Sequence, residues 1–497
     1  MDETVSLTQS IGYGTVLHIV LLLSVCLHLL LKPHDARTSL LWILFTAVFP
    51  FFGAFAYVLF GINTVPNKGW QKQCSDSIFQ KRQRLSSRSA HPLAAMHTQR
   101  NALRAAGGGR LFAPLNRVLD QLSSNHPLFD GNAVDILEPA SLALEEMFEA
   151  IRQARHHIHL ATYIFNDDAV GRRLMDLLVE KAASGVQVRV LYDAFGSAGA
   201  SLRLFFWRRR KIPNLSLIGF SQANVLKRKF QINLRNHRKI LVVDGTLAFT
   251  GGVNFHAVYL PNGGDPGVID YHFRVRGPAV LELQYTFLRD WYYMTDQPAE
   301  KLLVKGFFPP PVSAGGLAAR LLNSGPTRSE TSAALDAFFA AINLASKQVL
   351  IVTPYFIPPE SLILALRQAA FRGVDVKVIV PAVNHPTLKL ASQAHFTTLL
   401  LAGVRIFQRE APFIHAKAAV IDDEVALIGS ANLDPRSLFL NYETNLVVFD
   451  GDFAARLKGT MLAELAHTTE VVYARWRQRP RSRKLAENFF NLFHPIA

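Results

Sequence analysis

One segment of the chain is written twice. HRKILVVDGTLAFTGGVN begins at His237 and HAKAAVIDDEVALIGSAN begins at His415. Lys follows each His by two positions (Lys239, Lys417) and Asp by seven (Asp244, Asp422). Gly follows by fourteen (Gly251, Gly429), a small residue by fifteen (Gly252, Ser430) and Asn by seventeen (Asn254, Asn432). The agreement extends outward: Ala154 and Ala345 stand 191 residues apart, as do Phe165 and Phe356, and the Gly-Val pairs at 185–186 and 373–374 stand 188 apart. A duplication on this scale calls for two copies of one domain, most economically packed about a pseudo-two-fold axis. Within each copy, short apolar strands alternate with helical segments, which predicts α/β units with helices covering a mostly parallel sheet. KILVV and KAAVI are apolar on successive residues, as strands buried on both faces are. FFPPPVSAGG at 307–316 divides the copies, giving domains at 130–305 and 317–475.

The N-terminus is of another kind. Residues 11–31 and 40–60 are apolar runs without Asp, Glu, Lys or Arg, each about the ~20 residues that cross a bilayer as a helix. The excess in the 49% hydrophobic content is concentrated here, and the two runs predict a transmembrane hairpin over 1–63. The opening MDETVSLTQS is acidic and no cleavage site follows the first run, so a removed signal peptide is not expected. Lys68, Lys72, Lys81, Arg82, Arg84 and Arg88 follow the second run, against Lys32 and Arg37 between the two. Positive-inside logic then leaves both termini and the bulk of the chain in the cytoplasm. Two cysteines, Cys26 and Cys74, make no disulfide framework, and a reducing compartment fits. Residues 64–129 read as a basic linker and 476–497 as a basic C-terminal segment. The net charge of +15 includes eleven Lys or Arg between 203 and 239, with no acidic residue among them. On a membrane-tethered chain that charge suits anionic headgroups, and the hairpin argues against nucleic acid as the partner.

On a strand, residues two apart face the same way, so His237 projects with Lys239 and His415 with Lys417. Unpaired cations at the start of buried strands are costly, so they are expected to serve a purpose. If the two-fold brings the strand starts together, two His and two Lys surround one cavity with Asn254 and Asn432 nearby. That set suits phosphodiester chemistry. Lysines neutralise the phosphate and the charge that builds in the transition state, a neutral His attacks phosphorus, and a protonated His serves the leaving oxygen. Asp244 and Asp422 complete the motif as catalytic candidates, but they lie past the strand end and are read mainly as turn-capping groups. An acid should hold the second nitrogen of each ring; Asp270 and Glu443 follow His237 and His415 by 33 and 28 residues. No carboxylate cluster offers a metal site, so neither metal nor other cofactor is expected.

HxKxxxxD twice, followed by GGxN and GSxN, resembles the phospholipase D superfamily. RNHRKILVVDG, GSANLDPRSLFLNYE and the hairpin segment SLLWILFTAVFPFFGAFAYVLFGIN are similar to the bacterial cardiolipin synthases, from about residue 11 to the end. The resemblance implies two phospholipase D-like domains and a phosphatidyltransferase. Phosphatidylglycerol would be attacked by His237 to give a phosphatidyl-histidine, with release of glycerol. A second phosphatidylglycerol would then accept the phosphatidyl group to form cardiolipin. It further implies His415 as acid/base, with Asp270 orienting His237 and Glu443 orienting His415, and Ser430, Asn254 and Asn432 lining the site. The chain departs from the hairpin-bearing synthases at Val268-Ile269 and at FHAVYLPNGG (255–264). The departures leave phosphatidylethanolamine open as one partner. The same motif also fits hydrolysis, by a membrane phospholipase D or a nuclease, and a non-enzymatic membrane scaffold. The hairpin argues against the nuclease, and the intact His and Lys pairs argue against the scaffold. LRLFFWRRRKIP (202–213) is read as a covering helix with a charged outer face, or as an element at headgroup level.

Overall fold

The computed structural model describes residues 2–31, 36–61, 65–85, 109–122, 126–220, 234–264, 267–295, 297–326 and 332–492. Lys32, Arg88, Lys227, Arg228, Lys229 and residues 493–497 lie outside the described residues. The chain divides into two compact units, Met1–Asn67 and Lys68–Ala497.

In the first unit the two apolar runs have different fates. Asp2–Leu31 is one helix, and Tyr13–Leu31 within it is, among the described residues, the one stretch long and apolar enough to cross a membrane. The second run breaks into a helix Ala36–Val48, a bend, a short helix Phe52–Ala56 and a wider turn Tyr57–Gly61. Two uninterrupted spans were expected; Pro50 explains the difference. Proline lacks the helical N–H and pushes its predecessor out of the helical region. Phe51 takes a positive φ of 60°. Gly53 then allows a close return, since a Cβ there would meet the Thr46 Cα at 2.6 Å. The runs pack on each other through Val25, Leu29, Ala54 and Tyr57.

The second unit is built on one sheet. Its strands in the first half are β1 (Leu128–Leu137), β2 (His157–Thr162), β3 (Gln187–Asp193), β4 (Leu215–Phe220), β5 (Ile240–Val243), β6 (Leu247–Gly251) and β7 (His272–Arg276). The second half supplies β8 (Leu317–Ser324), β9 (Gln348–Val352), β10 (Asp375–Pro381), β11 (Arg405–Arg409), β12 (Ala418–Ile421), β13 (Val425–Gly429), β14 (Glu443–Phe449) and β15 (Thr468–Glu470). They run in the order β15-β11-β10-β9-β12-β13-β14-β8-β1-β7-β6-β5-β2-β3-β4. Outward from the β8–β1 contact, each half repeats the same succession, so the internal repeat becomes a pseudo-two-fold. Only β2-β3-β4 and β9-β10-β11 are parallel; the other neighbours are antiparallel. The expectation of a mostly parallel sheet is corrected. Parallel neighbours need a long crossover, whereas β5 turns into β6, and β12 into β13, through only a few residues.

Each half has its own apolar core. Helices Ala140–Gln153 and Ala169–Ala183 cover β2–β5, and Ala333–Leu344 and Glu360–Phe371 cover β9–β13. β5 and β12 are buried at every position, which matches their unbroken apolar spelling. The described helices of 64–129 are built into this unit rather than strung beside it. Helix Phe112–Leu122 adds Leu115 and Leu119 to the second core. Lys72 is buried, with its ammonium 2.9 Å from Asp290 and 2.8 Å from Asp76. Lys72 is thus no flanking surface charge.

Candidate active site

The two motif histidines occupy short extended leads just before β5 and β12, and backbone hydrogen bonds stitch each lead to the opposite half. The His237 N–H donates to the Tyr442 carbonyl at 3.0 Å, and the Tyr442 N–H donates to the Arg235 carbonyl at 2.9 Å. Symmetrically, the His415 N–H donates to the Ile269 carbonyl at 2.7 Å, and the Ile269 N–H donates to the Phe413 carbonyl at 3.0 Å. Glu443 follows Tyr442 and Asp270 follows Ile269, so each bridge delivers an acid to the other half's histidine. His237 Nδ1 lies 2.9 and 3.0 Å from the two Glu443 oxygens, and His415 Nδ1 lies 2.6 Å from Asp270. The same-half pairing expected from chain order is corrected: the partners are exchanged. In both rings Nδ1 is held by a carboxylate, which leaves Nε2 for chemistry.

Both histidines line one cavity of about 280 Å³, with Tyr163, Asn254, Tyr355 and Asn432 in its wall. Lys239 donates to the His237 carbonyl at 2.8 Å, and Lys417 donates to the His415 carbonyl. Burial pulls the Lys239 ammonium down to about 7 and that of Lys417 to about 8. Burial, and then Lys417 beside it, takes His415 down to about 4; burial also lowers His237. For the acids burial acts upward, but Lys417 and His415 outweigh it at Asp270, and His237 and Lys239 do so at Glu443, so both carboxyls sit below the ordinary range. The result is two neutral imidazoles, each backed by a carboxylate, in a pocket poised to become more positive when an anion enters.

Other motif residues divide by position. Asp244 and Asp422, candidates for catalysis by motif, stand away from the cavity with positive φ of 53° and 54°. The Asp244 carboxylate accepts the N–H groups of Arg155, His156 and His157 at 2.8–2.9 Å. Asp422 does the same for Ser346, Lys347 and Gln348. They tie the far ends of β5 and β12 to the starts of β2 and β9. Asn254 reaches the cavity, but its Oδ1 accepts from the Ile164 N–H (3.1 Å) and its Nδ2 donates to the Tyr259 hydroxyl (3.3 Å). Asn432 hydrogen-bonds Asp434, whose carboxyl burial pushes up to about 6. Ser430 donates to Glu443 at 2.5 Å. Its counterpart Gly252 faces Asp270 so closely that a Cβ would lie 1.9 Å from a carboxylate oxygen. Gly252→Ala should therefore displace Asp270 and cut turnover by about a hundredfold while leaving thermal unfolding cooperative; unchanged turnover would show that Asp270 is not needed in this position.

Several site residues escaped the sequence reading. Tyr163 meets the His237 ring edge-on at 4.8 Å, and Tyr355 meets His415 at 6.4 Å. Both lie in the repeated TYIF and TPYF segments, so position in the repeat was the available signal. Tyr259 places its hydroxyl 3.4 Å from both Asp270 and His415 Nδ1, and nothing in FHAVYLPNGG marks it. Among the described residues, no group of three or more His, Cys, Asp or Glu side chains is arranged to hold a metal ion.

Residues 147–291 and 338–463 match the family described as cardiolipin synthase, PLD-like domain, and residues 16–61 match the phospholipase D-nuclease N-terminal family. The cardiolipin synthase of Geobacillus thermodenitrificans (strain NG80-2) is 33% identical over 474 residues, which is 94% of this chain and 90% of that protein. The chain belongs to the cardiolipin synthase family. Cardiolipin synthase A of Pseudomonas aeruginosa (strain LESB58) is likewise 33% identical, over 95% of this chain and 93% of its own. Among solved structures, phosphatidylserine synthase of Haemophilus influenzae Rd KW20 superposes with a TM-score of 0.59 over 77% of this chain and 99% of that one. At 17% identity the likeness is one of fold. The cardiolipin synthase family lies within the phospholipase D superfamily, and this member is an enzyme of the phosphotransferase class. His237 and Asp270 fall in the first matched segment and His415 and Glu443 in the second. Each His–acid pair therefore joins the two repeats.

Proposed function

We propose that the protein makes cardiolipin from two phosphatidylglycerol molecules, with release of glycerol, through a phosphatidyl-histidine. The observation that carries this reading is the pair of carboxylate-backed histidines lining one cavity, each with a lysine held at its carbonyl. His237 Nε2 attacks phosphorus, and the bond from phosphorus to the headgroup glycerol oxygen breaks as the His415 imidazolium gives that oxygen its proton. Neutral His415 next takes the proton from a headgroup hydroxyl of the second phosphatidylglycerol. That oxygen attacks phosphorus, the P–N bond breaks, and His237 is regenerated. His415 must be protonated at the outset, and the negative diester provides for this by offsetting the lysine charge that depresses its pKa.

The same electrostatics predict proton uptake on binding. Burial lowers Lys239 and Lys417 to about 7 and about 8, and an anion bound at the histidines raises them. Binding of a non-reactive phosphodiester to a His237→Ala/His415→Ala protein, in which neither imidazole can take the proton, should take up protons near about pH 8 and few near about pH 6, where both amines are already largely charged. Calorimetry in buffers of different ionisation enthalpy measures this; pH-independent uptake would contradict it.

We place the protein in a bacterial cytoplasmic membrane, with both apolar runs embedded and the catalytic unit on the cytoplasmic side. Exposed Lys81 and Arg82 support that side. The deciding assay uses full-length protein in phosphatidylglycerol vesicles, with and without phosphatidylethanolamine, following lipids and glycerol by mass spectrometry. Cardiolipin with equimolar glycerol from phosphatidylglycerol alone supports transfer. Phosphatidic acid as the main product means hydrolysis, and a requirement for phosphatidylethanolamine changes the partner.

A further inference from the structure

Two exposed apolar-and-basic elements, one from each half, flank the cavity. In the first half, Asp193 at the end of β3 accepts the Asn236 N–H at 2.9 Å, next to His237. Two residues on, the Phe195 ring lies 4.0 Å under the Arg235 guanidinium and is 63% exposed. Gly196 packs against Tyr163 of the cavity wall. The chain then enters helix Ser201–Arg209, where Leu202 and Phe206 are 76% and 62% exposed. Arg210 and Lys211, also exposed, close it.

The pseudo-two-fold sets helix Pro386–Gln393 in the equivalent place after β10, and its Leu388 lines the cavity. Helix Arg481–Leu492 docks on it, with Arg483 donating to Gln393 at 3.1 Å. Buried Glu487 faces inward, paired with Arg479. Leu485 and Leu492, seven apart and so on one helical face, are 73% and 75% exposed, with Arg481 exposed at the start of the helix.

We propose that these two elements form a bipartite docking surface that seats the mouth of the cavity on a bilayer carrying anionic headgroups. Exposed large apolar side chains among cations match the chemistry of that surface: the alkyl and aromatic groups enter the acyl boundary while Arg and Lys meet phosphates. Because the elements belong to opposite halves, they hold the mouth at two points and present both lipid partners from one plane. The inference rests on the lipid-transfer reading and adds where the lipids enter.

The test uses full-length protein in phosphatidylcholine vesicles containing phosphatidylglycerol. In a Cys26→Ser, Cys74→Ser background, a fluorophore attached through Phe206→Cys or Leu485→Cys should be quenched by lipid-borne nitroxide, and one at exposed Ser184→Cys should not. In parallel, Leu202→Ser/Phe206→Ser and Leu485→Ser/Leu492→Ser should each lower turnover of vesicle phosphatidylglycerol by about tenfold or more. Turnover of a monomeric short-chain phosphatidylglycerol should stay within about twofold. Quenching without cardiolipin formation by the unsubstituted protein would sink the reaction and leave the surface standing. Unquenched probes, or equal losses on both substrates, would overturn the surface and leave the reaction standing. Probes shielded by a second copy of the chain are unquenched and count against it.

Discussion

Given a phosphatidyl ester whose leaving group is p-nitrophenol, the His415→Ala protein should release about one equivalent of nitrophenol per site and then stall, with the phosphatidyl mass on His237. A nitrophenolate departs without a proton, so the first step survives loss of the acid; the second still needs a base to activate the incoming hydroxyl. With phosphatidylglycerol itself, where the alkoxide cannot leave unprotonated, both His415→Ala and His237→Ala should lose at least about a thousandfold in turnover. Peptide mass spectrometry decides the matter. An adduct on His415 in the His237→Ala protein would reverse the roles, and no adduct in either would mean direct displacement between lipids.

The exchanged acid partners lead to the second large effect. If Glu443 orients the nucleophile, Glu443→Gln should slow the nitrophenol burst by up to about ten-thousandfold, the loss that follows replacement of a histidine-orienting carboxylate by its amide in a hydrolytic triad. Asp270→Asn should leave the burst within a few-fold of normal, yet slow phosphatidylglycerol turnover about as severely, because it acts through His415. Same-half pairing gives the opposite assignment. The distances of 2.9 Å from His237 to Glu443 and 2.6 Å from His415 to Asp270 favour the exchanged result. A burst sensitive to Asp270→Asn alone would defeat it.

What could be read in the sequence was local and repeated. The matched His, Lys and Asp offsets and the buried spelling of the strands that follow depend on neighbours along the chain, whereas the N–H groups that Asp244 and Asp422 hold belong to distant strand starts and not to their own turns. The partner exchange is not local either, because it is set by bridges between Asn236 and Tyr442 and between Ile269 and Ile414, across the two repeats. No same-strand argument reaches that far. Lys72 misled for a related reason: among flanking cations it reads as a surface charge, but its buried partner Asp290 comes from more than two hundred residues away. The break at Pro50 was in plain view, yet a hydropathy run counts apolar residues and is blind to a missing N–H. The mostly parallel sheet failed because helix–strand alternation was extended to strands joined by tight turns.

The exchange also constrains ancestry. Each repeat carries a nucleophile-type histidine whose carboxylate belongs to its neighbour, and a lone repeat would own a ring without its orienting acid and an acid without its ring. A progenitor of half this length could work only as a pair of copies lending carboxylates to each other. Within one chain the copies need not match, and they do not: one sets an aspartate beside a glycine, Asp270 and Gly252, and the other a glutamate beside a serine, Glu443 and Ser430.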